Sequence, residues 1–205
     1  MIHTKSHFQQ LKIMNLVCYS MVLLALGIFG CGDDDDDDND NLSASKLDPN
    51  WQIVSSAFLS GQEIPERFSC DGEDISPALS WAEPPAGTKS LALFMDDPDA
   101  GGFAHWILYN LPAAFRELNE NIPRETSVAT LCAACGDASQ GENDFPTIGY
   151  GGPCPPRGST HTYRFRLFAL DTPPNLLPQL DPSAFLAEID DHVIAETQLM
   201  GVFSR

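Results

Sequence analysis

Six consecutive aspartates, Asp33 to Asp38, followed by Asn39-Asp40-Asn41, set the first limit on how this chain folds. A run of that composition has no apolar surface to bury and repels itself, so it cannot belong to a core. Residues 31–50, which also hold Ser43-Ala44-Ser45, therefore read as an extended, solvated tether. An unstructured acid run offers calcium no preformed cage of oxygens, so the expected role is a polar spacer. The fold must then come from residues 51–205. A chain of that size buries roughly 68–70% of its surface as one domain. With 43% hydrophobic residues and 12 Phe, this sequence has the material for a core.

Ahead of the tether, Lys5 and Lys12 precede an uncharged, apolar stretch from Ile13 to Gly30 that ends at Cys31. The order of basic opening, apolar segment and small-residue end is that of an export signal. Ile28-Phe29-Gly30-Cys31 resembles the lipobox of bacterial lipoproteins, although Phe is unusual at its second position. That resemblance implies removal of residues 1–30, lipidation of Cys31, and a bacterial cell-envelope protein held on a membrane and facing the periplasm or the cell surface. An uncleaved membrane anchor is the competing reading.

The net charge of the whole chain is −18, and residues 41–205 alone carry −13. Such a body repels nucleic acid and anionic lipid surfaces at long range, so DNA or RNA binding is not expected.

Within the body the pattern is mainly β. Trp51–Leu59, Leu91–Met95, His105–Asn110 and Thr162–Leu170 are short, rich in β-branched or aromatic residues, and bounded by Pro and Gly. Residues 119–158 contain many turn formers and little periodicity, which predicts long loops of the kind that carry function. Asp181-Pro182 ahead of Ala184-Phe185-Leu186-Ala187-Glu188-Ile189 predicts a capped helix, and a last strand is expected over about residues 196–203. Strand and helix units do not alternate, which argues against a parallel Rossmann-type sheet.

Three segments carry candidate chemistry. Asp96-Asp97-Pro98-Asp99 follows a strand in which Leu91, Leu93 and Met95 share a face, and Asp97 continues that parity. It can cap a turn, or it can serve a site. His105 begins the next strand after a short connection, so a hairpin could bring Asp97 beside it, where a carboxylate would fix the imidazole tautomer and favour its protonated form. The third segment is Gly151-Gly152-Pro153-Cys154-Pro155-Pro156-Arg157-Gly158, followed by His161-Thr162-Tyr163. The glycines allow close approach of a ligand and the prolines stiffen the loop. His161 and Tyr163 project from one strand face, leaving Arg164 and Arg166 on the other, expected to face solvent. An imidazole and a phenol converging beside a backbone loop suit a small oxyanion.

Together these motifs resemble the phosphatidylethanolamine-binding protein family, in its bacterial Raf kinase inhibitor-like branch. The resemblance rests on Asp97-Pro98-Asp99-Ala100, His105-Trp106 with Asn110, Gly152-Pro153-Cys154-Pro155-Pro156 with Gly158, and His161-x-Tyr163. It extends to Cys70-Asp71-Gly72-Glu73-Asp74-Ile75-Ser76-Pro77, Leu79, Trp81, residues 85–90 and the tail from His192. It covers essentially residues 51–205. It implies a sandwich of two antiparallel sheets with short helices near the C-terminus. It also implies a pocket for phosphate-like or carboxylate groups, including a lipid headgroup, formed by Asp97, His105, Cys154, His161 and Tyr163. Gly101 and Thr162 depart from the family's usual Pro and Arg. The first loosens the rim, and the second removes a positive charge.

No nucleophile or metal-ligand cluster completes a catalytic constellation, and no cofactor is implied, so binding without catalysis is the expectation. A phosphorylated or otherwise anionic small molecule is the expected ligand. The alternative is an interaction or inhibitor module that engages an unidentified protein partner through the 119–150 loop. Four cysteines remain after export: Cys70, Cys132, Cys135 and Cys154. They allow three complete pairings, of which Cys132 with Cys135 and Cys70 with Cys154 is the preferred set, because the second bridge would brace the pocket loop.

Overall fold

The computed structural model describes residues 46–128 and 138–205. Cys31, the leader, most of the tether, Cys132 and Cys135 lie outside the described residues. Among the described residues, nine strands form two sheets. β1 (Ile53–Ser55), β3 (Leu79–Trp81) and β6 (Glu117–Leu118) make a small antiparallel sheet in the order β1-β3-β6. The larger sheet runs β2-β9-β8-β4-β5-β7, from β2 (Gln62–Glu63), β9 (Val193–Ser204), β8 (Thr160–Leu170), β4 (Ser90–Asp97), β5 (Phe103–Pro112) and β7 (Ser139–Gln140). All its pairs are antiparallel except the two-residue pairing of β2 with β9. The mainly β, two-sheet architecture expected from the sequence is the one observed.

The two periods of the larger sheet build two cores. Leu91, Leu93 and Met95 of β4, Trp106 and Leu108 of β5, and Tyr163, Phe165 and Leu167 of β8 pack with Ile53, Leu79, Trp81 and Leu118 of the small sheet. Ala92, Phe94, Ile107, Tyr109, Phe168 and Leu170 face the opposite way, toward α1 (Pro182–Ile189). The Phe185 ring stacks on Phe94 at 5.8 Å, and each such fully buried side chain contributes about 1.5–3 kcal/mol. The helix begins as its sequence predicts, with Pro182 in the first turn and the Asp181 carboxylate accepting from the Ala184 amide at 2.8 Å.

The predicted strand over residues 51–59 shrinks to three residues. Ser55 Oγ accepts from the Ala57 amide and donates to the Ala78 carbonyl, offering the backbone a turn in place of the ladder. Elsewhere the strands are longer than predicted, with β9 reaching from Val193 to Ser204.

Because both faces of the sheet are covered, β4 is buried along its whole length, including Asp96 and Asp97 at its end. A carboxylate in that position is costly unless it is paired. Asp96 points to the α1 side and is held bidentately by Arg164, at 3.1 Å from Nε and 2.5 Å from Nη2. On the same face Arg166 pairs with the buried Glu196 at 2.8 Å and lies over the Phe168 ring. The alternation that turned these arginines away from His161 is correct. Their expected exposure to solvent holds only in part, since the Arg164 side chain is 31% exposed and that of Arg166 14%, each drawn to a buried carboxylate that needs a counterion.

Candidate functional site

Asp97 does two jobs at once. Its Oδ1 accepts from the Ala100 amide at 3.0 Å and caps the short turn Pro98–Ala100, while Oδ2 lies 2.7 Å from His161 Nδ1. The turn-capping and site-forming readings of this residue are therefore both realised, one on each oxygen. Asp99 supports the same corner by accepting from the Thr162 amide at 2.7 Å.

Asp97 and His105 come close enough for the charge of one to act on the other, but the imidazole that Asp97 hydrogen-bonds is that of His161. β4 and β5 do form the hairpin, with Asp97 opposite Phe103, but Met95 pairs with Trp106 and Asp96 with Ala104. His105 is thus the extra residue of a β-bulge. The bulge swings it to the side of Tyr163, whose ring it meets edge-on at 5.1 Å. Its Nδ1 lies 2.8 Å from the Gly151 carbonyl, and Phe103 and Phe145 close around it with ring centroids at 5.3 and 5.2 Å. A carbonyl only accepts, so Nδ1 carries the proton and Nε2 is left as the free ring nitrogen. Burial lowers the His105 pKa below its ordinary value. The Gly151 and Gly152 carbonyls and the Asp97 and Asp96 charges oppose that shift without cancelling it. The protonated form expected from a neighbouring Asp97 is therefore not the favoured one.

Tyr163 is fully buried, and its hydroxyl has no hydrogen-bond partner of good geometry among the described residues. Burial first and the Asp97 charge second push the phenol far up, with the Cys154 backbone amide offsetting part of the effect. It stays protonated, and so it is a donor at any physiological pH.

The glycine- and proline-rich loop lies against these groups. The Gly151 amide donates to the His105 carbonyl at 2.8 Å and the Gly152 amide to Asp74 at 2.7 Å, while Cys70 N–H donates to the Pro153 carbonyl at 3.1 Å. The two glycines are needed for packing against the protein as much as for any ligand. A Cβ on Gly151 would sit 2.7 Å from the Phe145 ring, and one on Gly152 2.3 Å from the Phe68 carbonyl oxygen. The Cys70–Cys154 disulfide ties this loop to the turn at residues 69–74, as preferred from the sequence. Arg205 adds a clamp, donating twice to Asp71 at 2.8 and 2.9 Å and lying 3.2 Å from Cys154 Sγ. The Arg205 bond is the main reason the Asp71 carboxyl lies below its usual pKa.

The structure brings together Asp97, His105, His161, Tyr163 and the Cys154 loop. Sequence reasoning missed several residues that hold them there. Asn143 is buried; its Nδ2 donates to the Gly149 carbonyl at 2.9 Å, and its Oδ1 accepts from the Phe145 and Thr147 amides. Asp144 accepts from the Ala104 amide at 2.7 Å. Asp74 takes a left-handed φ of 56° and pairs with Arg124 at 2.6 Å. Asn143-Asp144-Phe145-Pro146 does have the composition of a side-chain-capped turn, which was the available signal. Among the described residues, no group of three or more His, Cys, Asp and Glu side chains is placed to hold a metal ion.

Comparison with known proteins bears on the family and the fold. Residues 54–204 match the family model described as phosphatidylethanolamine-binding protein. The chain is 41% identical over 161 residues to a UPF0098 protein of Aquifex aeolicus, covering 75% of this chain and 88% of the relative. With one from Methanothermobacter thermautotrophicus the identity is 44% over 156 residues, covering 75% and 98%. Two solved structures share the fold. A phosphatidylethanolamine-binding protein homolog from Chlamydia trachomatis gives a TM-score of 0.64 at 36% identity, covering 76% of this chain and 97% of its own. E. coli YbcL, described as a member of the mammalian family, gives 0.67 at 29% identity, covering 76% and 98%. With a family match over nearly all of the body and the two-sheet fold in common, the chain belongs to the phosphatidylethanolamine-binding protein family.

Proposed function

We propose that this domain binds a small phosphorylated or otherwise anionic molecule, a free phosphate or a lipid headgroup, and does not transform it. The observation that carries this reading is the Tyr163 hydroxyl. It is a buried donor with no partner of good geometry among the described residues, close to Asp97 and the Cys154 amide and beside two histidines whose Nδ1 atoms are already engaged. Leaving a buried hydroxyl unpaired costs about 1–3 kcal/mol, a cost that a ligand oxygen would remove. Membership of a family named for binding a phospholipid supports the ligand class. We further propose that the domain is exported and held on a bacterial membrane through lipidated Cys31, with the acidic run as spacer.

Calorimetric titration with phosphate, phosphorylethanolamine and acetate tests the binding site. His161→Ala should cost about 1.5–3 kcal/mol of phosphate affinity if a charge-assisted bond is lost. Unchanged affinity in a folded His105→Ala, His161→Ala double variant would defeat the reading and leave a protein partner at the 119–150 loop as the alternative.

A further inference from the structure

The donors and acceptors of this site are unevenly distributed, and the imbalance bears on which anion fits. Resting on the anion-site reading above, we propose that the site selects an oxyanion that still carries a proton, such as hydrogenphosphate, dihydrogenphosphate or a singly charged phosphomonoester, and rejects a fully deprotonated one. Tyr163 Oη supplies a donor. His105 supplies the opposite. Its Nδ1 lies 2.8 Å from the Gly151 carbonyl and so carries the ring proton, which leaves Nε2 of the neutral ring with a lone pair that can only accept. The residue is 3% exposed and its ring packs against those of Phe103, Phe145 and Tyr163, which disfavours the imidazolium that would make Nε2 a donor. A ligand P–O–H satisfies that lone pair. A bare anionic oxygen meets it with repulsion.

The surrounding charges act in the same direction. Asp96 and Asp97 end the strand beside His105, Asp99 follows in the turn, and Asp144 lies on the loop bonded to Ala104. Arg164 pairs with Asp96, on the opposite face of the sheet from His161. His161 bonds Asp97, and Tyr163 stays neutral. Among the described residues, no lysine or arginine pairs with Asp97, His105, His161 or Tyr163. A site with carboxylates around it, and with the Arg205 guanidinium beside Cys154 already paired to Asp71, favours the less charged, protonated form of a ligand.

Phosphate and sulfate separate this proposal from the anion-site reading, because they match in size and tetrahedral shape while only phosphate keeps an O–H at neutral pH. Titrated into the full chain at about pH 7, phosphate should bind at least about 100-fold more tightly than sulfate. Phosphorylethanolamine should gain affinity as pH falls through its second ionisation near 6. Sulfate binding as tightly as phosphate, with both weakened by Tyr163→Phe, would overturn the selectivity and keep the site. Binding of neither anion would overturn both. In the His105→Gln variant the amide can turn an N–H to the ligand, so the phosphate preference should shrink at least tenfold. Should that variant not fold, nitrogen-15 NMR of the wild-type ring still decides. An unprotonated His105 Nε2 near neutral pH supports the proposal, and an N–H there removes it.

Discussion

Asp97 Oδ2 and His161 Nδ1 lie 2.7 Å apart although 64 residues separate them in the chain, and the other oxygen of the same carboxylate caps the turn that follows β4. One buried acid thereby fixes a turn and aims an imidazole. The two roles can be separated. Asn can still accept from the Ala100 amide, so Asp97→Asn should cost about 1 kcal/mol of stability and reduce phosphate affinity about tenfold. Asp97→Ala loses the cap as well and should cost about 2–4 kcal/mol. Urea denaturation and calorimetry read the two effects. Equal stability loss in both variants would show that the cap contributes nothing.

Tyr163→Phe should move stability and binding in opposite directions. Removing a buried hydroxyl without a partner should leave the free protein as stable as before, or up to about 1 kcal/mol more stable, while weakening phosphate binding by about 0.5–1.5 kcal/mol. Loss of stability above about 1 kcal/mol would mean that the hydroxyl is satisfied inside the free protein.

His105 gives the fold a pH dependence of definite sign. Its pKa is lowered from the ordinary 6.5 by burial, so the folded state prefers the neutral ring. Above about pH 6.5 the ring is neutral in both states and adds no slope. Below that, the unfolded chain takes up the proton first, and unfolding free energy falls with pH until the folded pKa is reached. In the His105→Asn variant, stability between about pH 7 and 5 should decline less steeply than in wild type. Parallel curves would assign the acid sensitivity to other groups.

The Cys70–Cys154 bridge closes a loop spanning 84 positions, and breaking it by the paired change Cys70→Ser, Cys154→Ser should cost about 2–5 kcal/mol. The Arg205–Asp71 clamp and the Gly152–Asp74 bond remain, so the domain should still fold, with the loss visible in its denaturation midpoint. A midpoint identical to wild type under non-reducing conditions would show that these bonds alone hold the loop.

Replacing Cys31 by Ser should block acylation and leave the leader attached, which mass spectrometry of membrane fractions reads directly. An intact N-terminus on the wild-type protein would set the lipoprotein proposal aside.

The sequence by itself determined what depends on neighbours along the chain. Period-two alternation placed Leu91, Leu93 and Met95 on one face and set His161 and Tyr163 opposite Arg164 and Arg166. The Asp181-Pro182 start of α1 was legible for the same reason, since a cap acts over three residues. The resemblance of ordered motifs supplied the family and the candidate site residues. What only the tertiary structure decided depends on register between strands and on what covers each face. The extra residue at His105 shifts one pairing and sets that ring against Tyr163 with its Nδ1 on the Gly151 carbonyl, while His161, from a strand far along the chain, meets the Asp97 carboxylate. Whether Arg166 meets water or Glu196 depends on the second core beneath α1, which no strand period contains. Alternation reports which side of a strand a residue takes. The neighbour it meets there, and the protonation state that follows, are fixed by long-range packing and the desolvation it imposes.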